Sequence, residues 1–134
     1  MCSSDLRVGL LNGAYNFSTG TYYIALYTNA ATLDYTTAAY TSTGEVVATG
    51  YTAGGNPLTV TVTPTTGTST STTAYISFGN TTWNAALTAR GALIYQQGGS
   101  AVCVLDFGND KTSSSIFTVQ FPASTITSAI IRLS

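Results

Sequence analysis

Thr88–Tyr95 reads TARGALIY and Ala101–Phe107 reads AVCVLDF, with Gln96-Gln97-Gly98-Gly99-Ser100 between them. Two apolar runs of strand length joined by a glycine pair predict antiparallel strands closed by a hairpin over 96–100. The second run is apolar at consecutive positions, which predicts a strand covered on both faces. Outward from this hairpin the apolar pattern has period two. Tyr22, Ile24 and Leu26 alternate with Tyr23, Ala25 and Tyr27, and Leu58, Val60 and Val62 alternate with threonines. Ala74, Ile76 and Phe78 form a further set, as do Phe117, Val119 and Phe121, then Ala129, Ile131 and Leu133.

Turn signals separate the runs. Residues 53–57 read AGGNP, residues 65–73 read TTGTSTSTT, and Asn109-Asp110-Lys111 marks another turn. Leu6–Phe17 predicts one short helix with Leu6, Leu10 and Leu11 on one side, and residues 30–39 fit either regular element. Short strands at this spacing predict an all-β fold, an antiparallel β-sandwich or jelly-roll-like barrel with at most one short N-terminal helix. The 65–73 loop reads as an insertion within a single β domain over 1–134.

The chain has 134 residues, of which 44% are hydrophobic, so a buried core is within reach. Only four side chains are basic and five acidic, and histidine is absent. Charged residues make up 7%, against about 25% in an ordinary domain. Thr and Ser together fill 40 positions. General acids, bases and metal ligands come mainly from His, Asp, Glu, Cys and Lys, so this composition argues against an enzyme. Arg7, Arg90, Lys111 and Arg132 are scattered, which argues against nucleic acid. No apolar run reaches the length of a membrane span, which argues against a membrane partner. Low charge also leaves a free monomer poorly protected against self-association, whereas a subunit fixed in an assembly needs less protection.

Individual candidates carry little chemistry. Asp106-Phe107-Gly108 spells a magnesium-binding kinase triplet, but lacks the accompanying phosphate loop and strand lysine, so it reads as a strand end and turn. Asp106 and Asp110 could flank a calcium ion, but the remaining oxygen ligands are missing. Glu45, the sole glutamate, reads as a solvated surface residue rather than half of a glycosidase pair. Arg90 sits mid-strand and needs a partner, for which Asp106 on a neighbouring strand is one candidate; it reads as structural or as part of an intersubunit ion pair rather than catalytic. Cys103 reads as a buried small hydrophobe, and nothing in the sequence places it within bridging distance of Cys2. Trp83 and the nine tyrosines could form a sugar platform, with core packing as the simpler reading. Asn16-Phe17-Ser18 and Asn80-Thr81-Thr82 match the glycosylation pattern. No residue is assigned a catalytic, cofactor-binding or metal role, and no cofactor is expected.

Four segments carry a resemblance: FSTGTYYIALYTNAATLD (17–34), AYTSTGEVVATGYTAGGNPLT (39–59), TARGALIYQQGGSAVCVLDFGNDKT (88–112) and FTVQFPASTITSAIIRLS (117–134). In these the chain resembles a family of small structural proteins of tailed bacteriophages, with ARGALIY and VLDFGNDKT the most specific stretches. The resemblance implies a non-enzymatic component of the virion. Its first reading is a capsid decoration or cement subunit bound to the major capsid protein or other virion proteins. Its second is a tail or fibre module binding a host receptor or glycan. Lattice geometry adds the expectation of a homo-oligomer, a trimer above all.

The family begins with a longer, charged helical segment leading into an LL-G-x-x-NF pattern. Here Leu10-Leu11-Asn12-Gly13-Ala14-Tyr15-Asn16-Phe17 keeps the end of that pattern after a short, unusual start. Residues 1–6, MCSSDL, can be reverse-translated as GTG TGC TCT TCC GAT CT, the end of a common sequencing adapter. The expectation is an adapter artefact on a truncated gene, with a native N-terminal segment missing.

Overall fold

The computed structural model describes residues 4–66 and 72–133. Helix α1 (Ser4–Leu11) is followed by nine strands: β1 (Tyr22–Tyr27), β2 (Asn56–Leu58), β3 (Val60–Thr66), β4 (Ala74–Phe78), β5 (Thr81–Trp83), β6 (Leu87–Gln96), β7 (Ala101–Ser113), β8 (Phe117–Val119) and β9 (Ile131–Leu133). All pairings are antiparallel. The strands form a four-stranded sheet β2-β1-β6-β7, a three-stranded sheet β3-β4-β9 and a two-stranded ribbon β5-β8. The fold is all-β and sandwich-like with one short helix, as the alternation predicts.

The four-stranded sheet carries two layers. Tyr22, Ile24 and Leu26 of β1 lie in register with Gln96, Ile94 and Ala92 of β6. Ile94 lies opposite Cys103 of β7. This face meets Phe17, Ile76, Phe78, Trp83, Phe117 and Ile131 in the main core, which joins residues of all three sheets. The opposite face presents Ala25, Tyr27, Leu93, Tyr95 and Ala101, covered by Ala31, Leu33 and Tyr40 from the long segment between β1 and β2. The expected two-sided cover of β7 therefore holds at Ala101, Val102 and Cys103, all 1% exposed or less.

The hairpin is closed by Gln96 N–H donating to Ser100 O (2.8 Å) and Gly99 N–H donating to Gln96 O (2.9 Å). Gly98 and Gly99 have φ of 106° and 108°, which L side chains rarely adopt.

Four expectations are corrected. Leu58–Thr63 is not one strand. Leu58 ends β2 in the four-stranded sheet and Val60 begins β3 in the three-stranded one. The chain switches sheets at Thr59, whose carbonyl accepts from Gly79 N–H at 2.8 Å. Alternation is the same on both sides of the switch, so periodicity cannot locate it. The 65–73 connection starts later than its composition predicts, because Thr65 and Thr66 still pair with Tyr75 and Ala74. Residues 67–71 lie outside the described residues.

Asn109-Asp110-Lys111 does not end a strand. Gly91 pairs with Asp106 and Ala89 with Lys111, so β7 runs through with Phe107, Gly108, Asn109 and Asp110 bulged opposite Arg90. Gly108 turns the bulge with φ 81° and donates its N–H to Asp106 Oδ1 at 2.8 Å.

The helix is shorter than 6–17. Gly13 has φ 78°. Its N–H reaches Leu10 O (3.4 Å) and Ala14 N–H reaches Gly9 O (2.7 Å), a glycine-terminated helix end. Leu6 is buried at 2% exposure whereas Leu11 is 91% exposed. At 100° per residue Leu11 lies about 140° around the helix from Leu6, so the two cannot share a face.

Candidate functional site

The long segment over 28–55 is short of regular structure, so its backbone needs other anchors. Glu45 supplies the central one. It bridges Tyr27 of β1 through the backbone and is only 9% exposed. Its Oε2 accepts from Tyr40 Oη at 2.6 Å. Its Oε1 accepts from Tyr51 Oη at 2.7 Å and from Gly54 N–H at 2.7 Å. Glu45 is thus a buried carboxylate held by three donors, which corrects the solvated surface reading.

The network reaches the sheet. Tyr51 Oη accepts from Leu26 N–H of β1 at 2.9 Å while donating to Glu45. Tyr95 Oη of β6 donates to Gly54 O at 2.7 Å, and Tyr27 Oη donates to Thr41 O at 2.6 Å. Tyr23, Tyr95 and Tyr40 stack with ring centroids 5.7 and 4.8 Å apart. Burial first, then the hydrogen bond to the Glu45 carboxylate, pushes the Tyr40 phenol up to about 12. The same order of causes raises Tyr51 further, and burial followed by the Glu45 charge raises Tyr27 and Tyr95. All four phenols stay neutral donors near neutral pH. Glu45 meets two hydroxyls and a backbone amide, and the arrangement clamps the loop onto β1.

Gly55 makes this clamp possible. Its φ is 76°, and a Cβ there would run into the carbonyl of Ile24 on β1. Only glycine lets the loop backbone approach the strand so closely.

At the opposite end of β6, Arg90 Nη1 lies 3.1 Å from Asp106 Oδ1, the pair expected from the sequence. The approach is ionic without hydrogen-bond alignment. The side chains are 35% and 69% exposed, so the pair contributes little to stability. Asp110 of the bulge accepts from Asn29 Nδ2 at 3.3 Å. Asn29, Arg90 and Asp106 rim an open depression of about 300 Å³ next to Leu33 and Val104. Among the described residues no three of Cys, Asp and Glu gather where a metal ion could sit.

Trp83 does not present a sugar platform. It is 2% exposed and packs against Tyr51 (6.1 Å) and Phe117 (6.3 Å), the core reading of its aromatic face. Cys103 is buried on β7 and Cys2 lies outside the described residues. Asn16 Oδ1 accepts from Ser18 N–H at 2.9 Å and holds a turn, whereas Asn80 Oδ1 accepts from Phe121 N–H at 2.9 Å and ties the β4–β5 connection to the segment after β8.

Several large apolar side chains stand at the surface. Val8, Leu11, Tyr35, Val47, Ile116 and Leu133 are 48–97% exposed. Ile116 rims a groove of about 450 Å³ between the far half of β7 and β8. A second cleft of about 470 Å³ is lined by Arg7, Leu10 and Leu11 of α1 and by Arg132 and Leu133 of β9. No described helix is long and apolar enough to cross a membrane.

Sequence reasoning missed Tyr40, Tyr51 and Gly54 as partners of Glu45. The one available signal was the AGGNP run, which marks a tight loop shortly after the sole glutamate. No family model, curated protein or solved structure matches the chain.

Proposed function

We propose that the chain is a non-enzymatic structural protein of a tailed-bacteriophage virion, a capsid decoration or cement subunit that acts by binding the head lattice. The carrying observation is the surface. Among the described residues six large apolar side chains stand 48–97% exposed, on a chain with nine charged residues in all, four basic and five acidic. Apolar contact area with little charge repulsion suits repeated contacts with neighbours in a lattice. The buried carboxylate supports the same reading, because its lone pairs hold a loop in place. The family resemblance of residues 17–34, 39–59, 88–112 and 117–134 supplies the setting. A glycan-binding tail or fibre module is the weaker reading, since Trp83 packs inside the core.

The test is the position and copy number of the protein in purified virions, by quantitative mass spectrometry and immunogold labelling. Decoration requires many copies spread over the head. A few copies at the tail tip would overturn decoration, and absence from the particle would overturn a virion role altogether.

A further inference from the structure

The charges of the described side chains fall into two groups. Glu45 is buried among tyrosines, Asp106 faces Arg90, and Asp110 accepts from Asn29. Asp34 alone among the described carboxylates meets no cation or amide of another element. Its Oδ1 accepts from Thr36 N–H (2.7 Å) and Thr36 Oγ1 (2.5 Å), which shapes the turn while the residue stays exposed. The Thr36 hydroxyl first, then the backbone N–H groups of Thr36 and Thr37, lower its pKa, so it is ionised. Beside it Tyr35 is 57% exposed, which places a carboxylate and an aromatic ring side by side at one loop tip.

The cleft between α1 and β9 has the complementary character. Arg7 and Arg132 are two of the four basic residues of the chain, and both line it with Leu10, Leu11 and Leu133. No described carboxylate lines it. Arg132 Nη1 donates to Thr127 O, which fixes the guanidinium while leaving its other N–H groups available. Leu10 and Leu133 also wall an adjoining, almost wholly apolar pocket of about 90 Å³.

The two surfaces lie on opposite sides of the four-stranded sheet. Leu33, next to Asp34, packs on the face formed by Ala25, Tyr27, Leu93, Tyr95 and Ala101. Leu10 and Ile131 pack on the other face. One chain therefore cannot bring its own Asp34 to its own Arg132.

We infer that the occupant of the cleft is a second copy of this chain, which docks the Asp34-Tyr35 tip between α1 and β9. The carboxylate meets Arg7 and Arg132, and the Tyr35 ring covers Leu11 and Leu133. Because tip and cleft lie on opposite sides of the sheet, a copy that offers its tip keeps its own cleft free for another, so the contact is heterologous and builds a closed ring or a filament. It stands without the virion reading, since it requires only copies of this chain.

The test is sedimentation velocity on the purified full chain over a concentration series at low and high salt. The expected result is a mass above the monomer that dissociates as salt rises, since the contact includes charges at a solvent-accessible rim. Asp34→Lys or Arg132→Glu alone raises the concentration needed for assembly by about tenfold or more. The double variant Asp34→Lys/Arg132→Glu restores assembly toward the original. Leu11→Asn and Tyr35→Ala, which leave the charges in place, weaken it independently. Melting curves check that each variant is folded. A monomer at every concentration overturns the contact, as does assembly that ignores all four single substitutions. Either result leaves the location of the protein in virions open to its own test.

Discussion

Glu45→Ala removes the acceptor of three hydrogen bonds, from Tyr40 Oη, Tyr51 Oη and Gly54 N–H. A hydrogen bond to a charged group contributes about 1.5–3 kcal/mol net, and an orphaned buried donor costs about 1–3 kcal/mol. Tyr40, Tyr51 and Gly54 are only half-buried, so water can reach some of the orphans. The lower end of the range applies, and the loss comes to about 3–4 kcal/mol. At ~3–5 °C per kcal/mol for a chain of this size, the midpoint of thermal unfolding drops by ~12 °C. Glu45→Gln separates charge from shape. Its remaining oxygen still accepts from Tyr51 and Gly54, and Tyr40 can reverse to accept from the amide, so the loss is about 1–2 kcal/mol. Urea denaturation measures both, with the slope of the transition reporting whether the unfolded state has changed. Pairing Glu45→Ala with Tyr51→Phe should show a coupling of about 0.5–3 kcal/mol. A loss below ~0.5 kcal/mol for Glu45→Ala, the range of ordinary surface substitutions, would refute the clamp. Equal losses for Ala and Gln would refute the assignment of two bonds to one surviving oxygen.

Burial pushes Tyr22 and Tyr40 up to about 12, and Tyr27, Tyr51 and Tyr95 shift in the same direction. The native chain then holds more protons than the unfolded one above the ordinary phenol value of about 10, so stability is full below that pH and falls from there toward about 12. A phenolate absorbance titration should show a delayed set of tyrosines that ionises with unfolding; a single transition of all nine in the folded chain would contradict this. Gly55→Ala forces a β-carbon into a left-handed backbone position against the Ile24 carbonyl. The expected loss is about 1–3 kcal/mol in urea denaturation, and an unchanged midpoint would show that the loop does not approach β1. The sole tryptophan, Trp83, is 2% exposed. Its fluorescence should resist acrylamide until the chain unfolds, and ready quenching of the native state would place it at the surface.

The parts of the fold read correctly from sequence are those where one chemical signal has one structural cause. Alternation in β1 reports two faces with different neighbours, and Gly98-Gly99 reports a backbone conformation that other residues rarely adopt. The Arg90–Asp106 pair was legible because a mid-strand cation requires a partner and the hairpin brings one across. The sheet switch at Thr59 was not legible, because the alternation of Leu58, Val60 and Val62 continues unbroken while hydrogen-bond partners change. Leu11 was misread because adjacent leucines were assigned one face, although neighbouring helix positions point about 100° apart. Glu45 was misread because its donors lie five, six and nine residues away, at no regular spacing. What buries it is the return of the loop onto β1, a tertiary event invisible to local pattern.

The bulge in β7 has a consequence for how copies can meet. β7 closes one side of its sheet, so its outer row of backbone groups is a template on which any extended chain could grow. Proteins usually guard such a rim with charge, and β7 carries three of the nine charged side chains, Asp106, Asp110 and Lys111. Phe107–Asp110 also breaks the ladder with a kink, and a kinked rim cannot seed a flat, endlessly repeating stack. The rim is thereby kept from adding further strands through its backbone. Any contact between copies is then left to side chains.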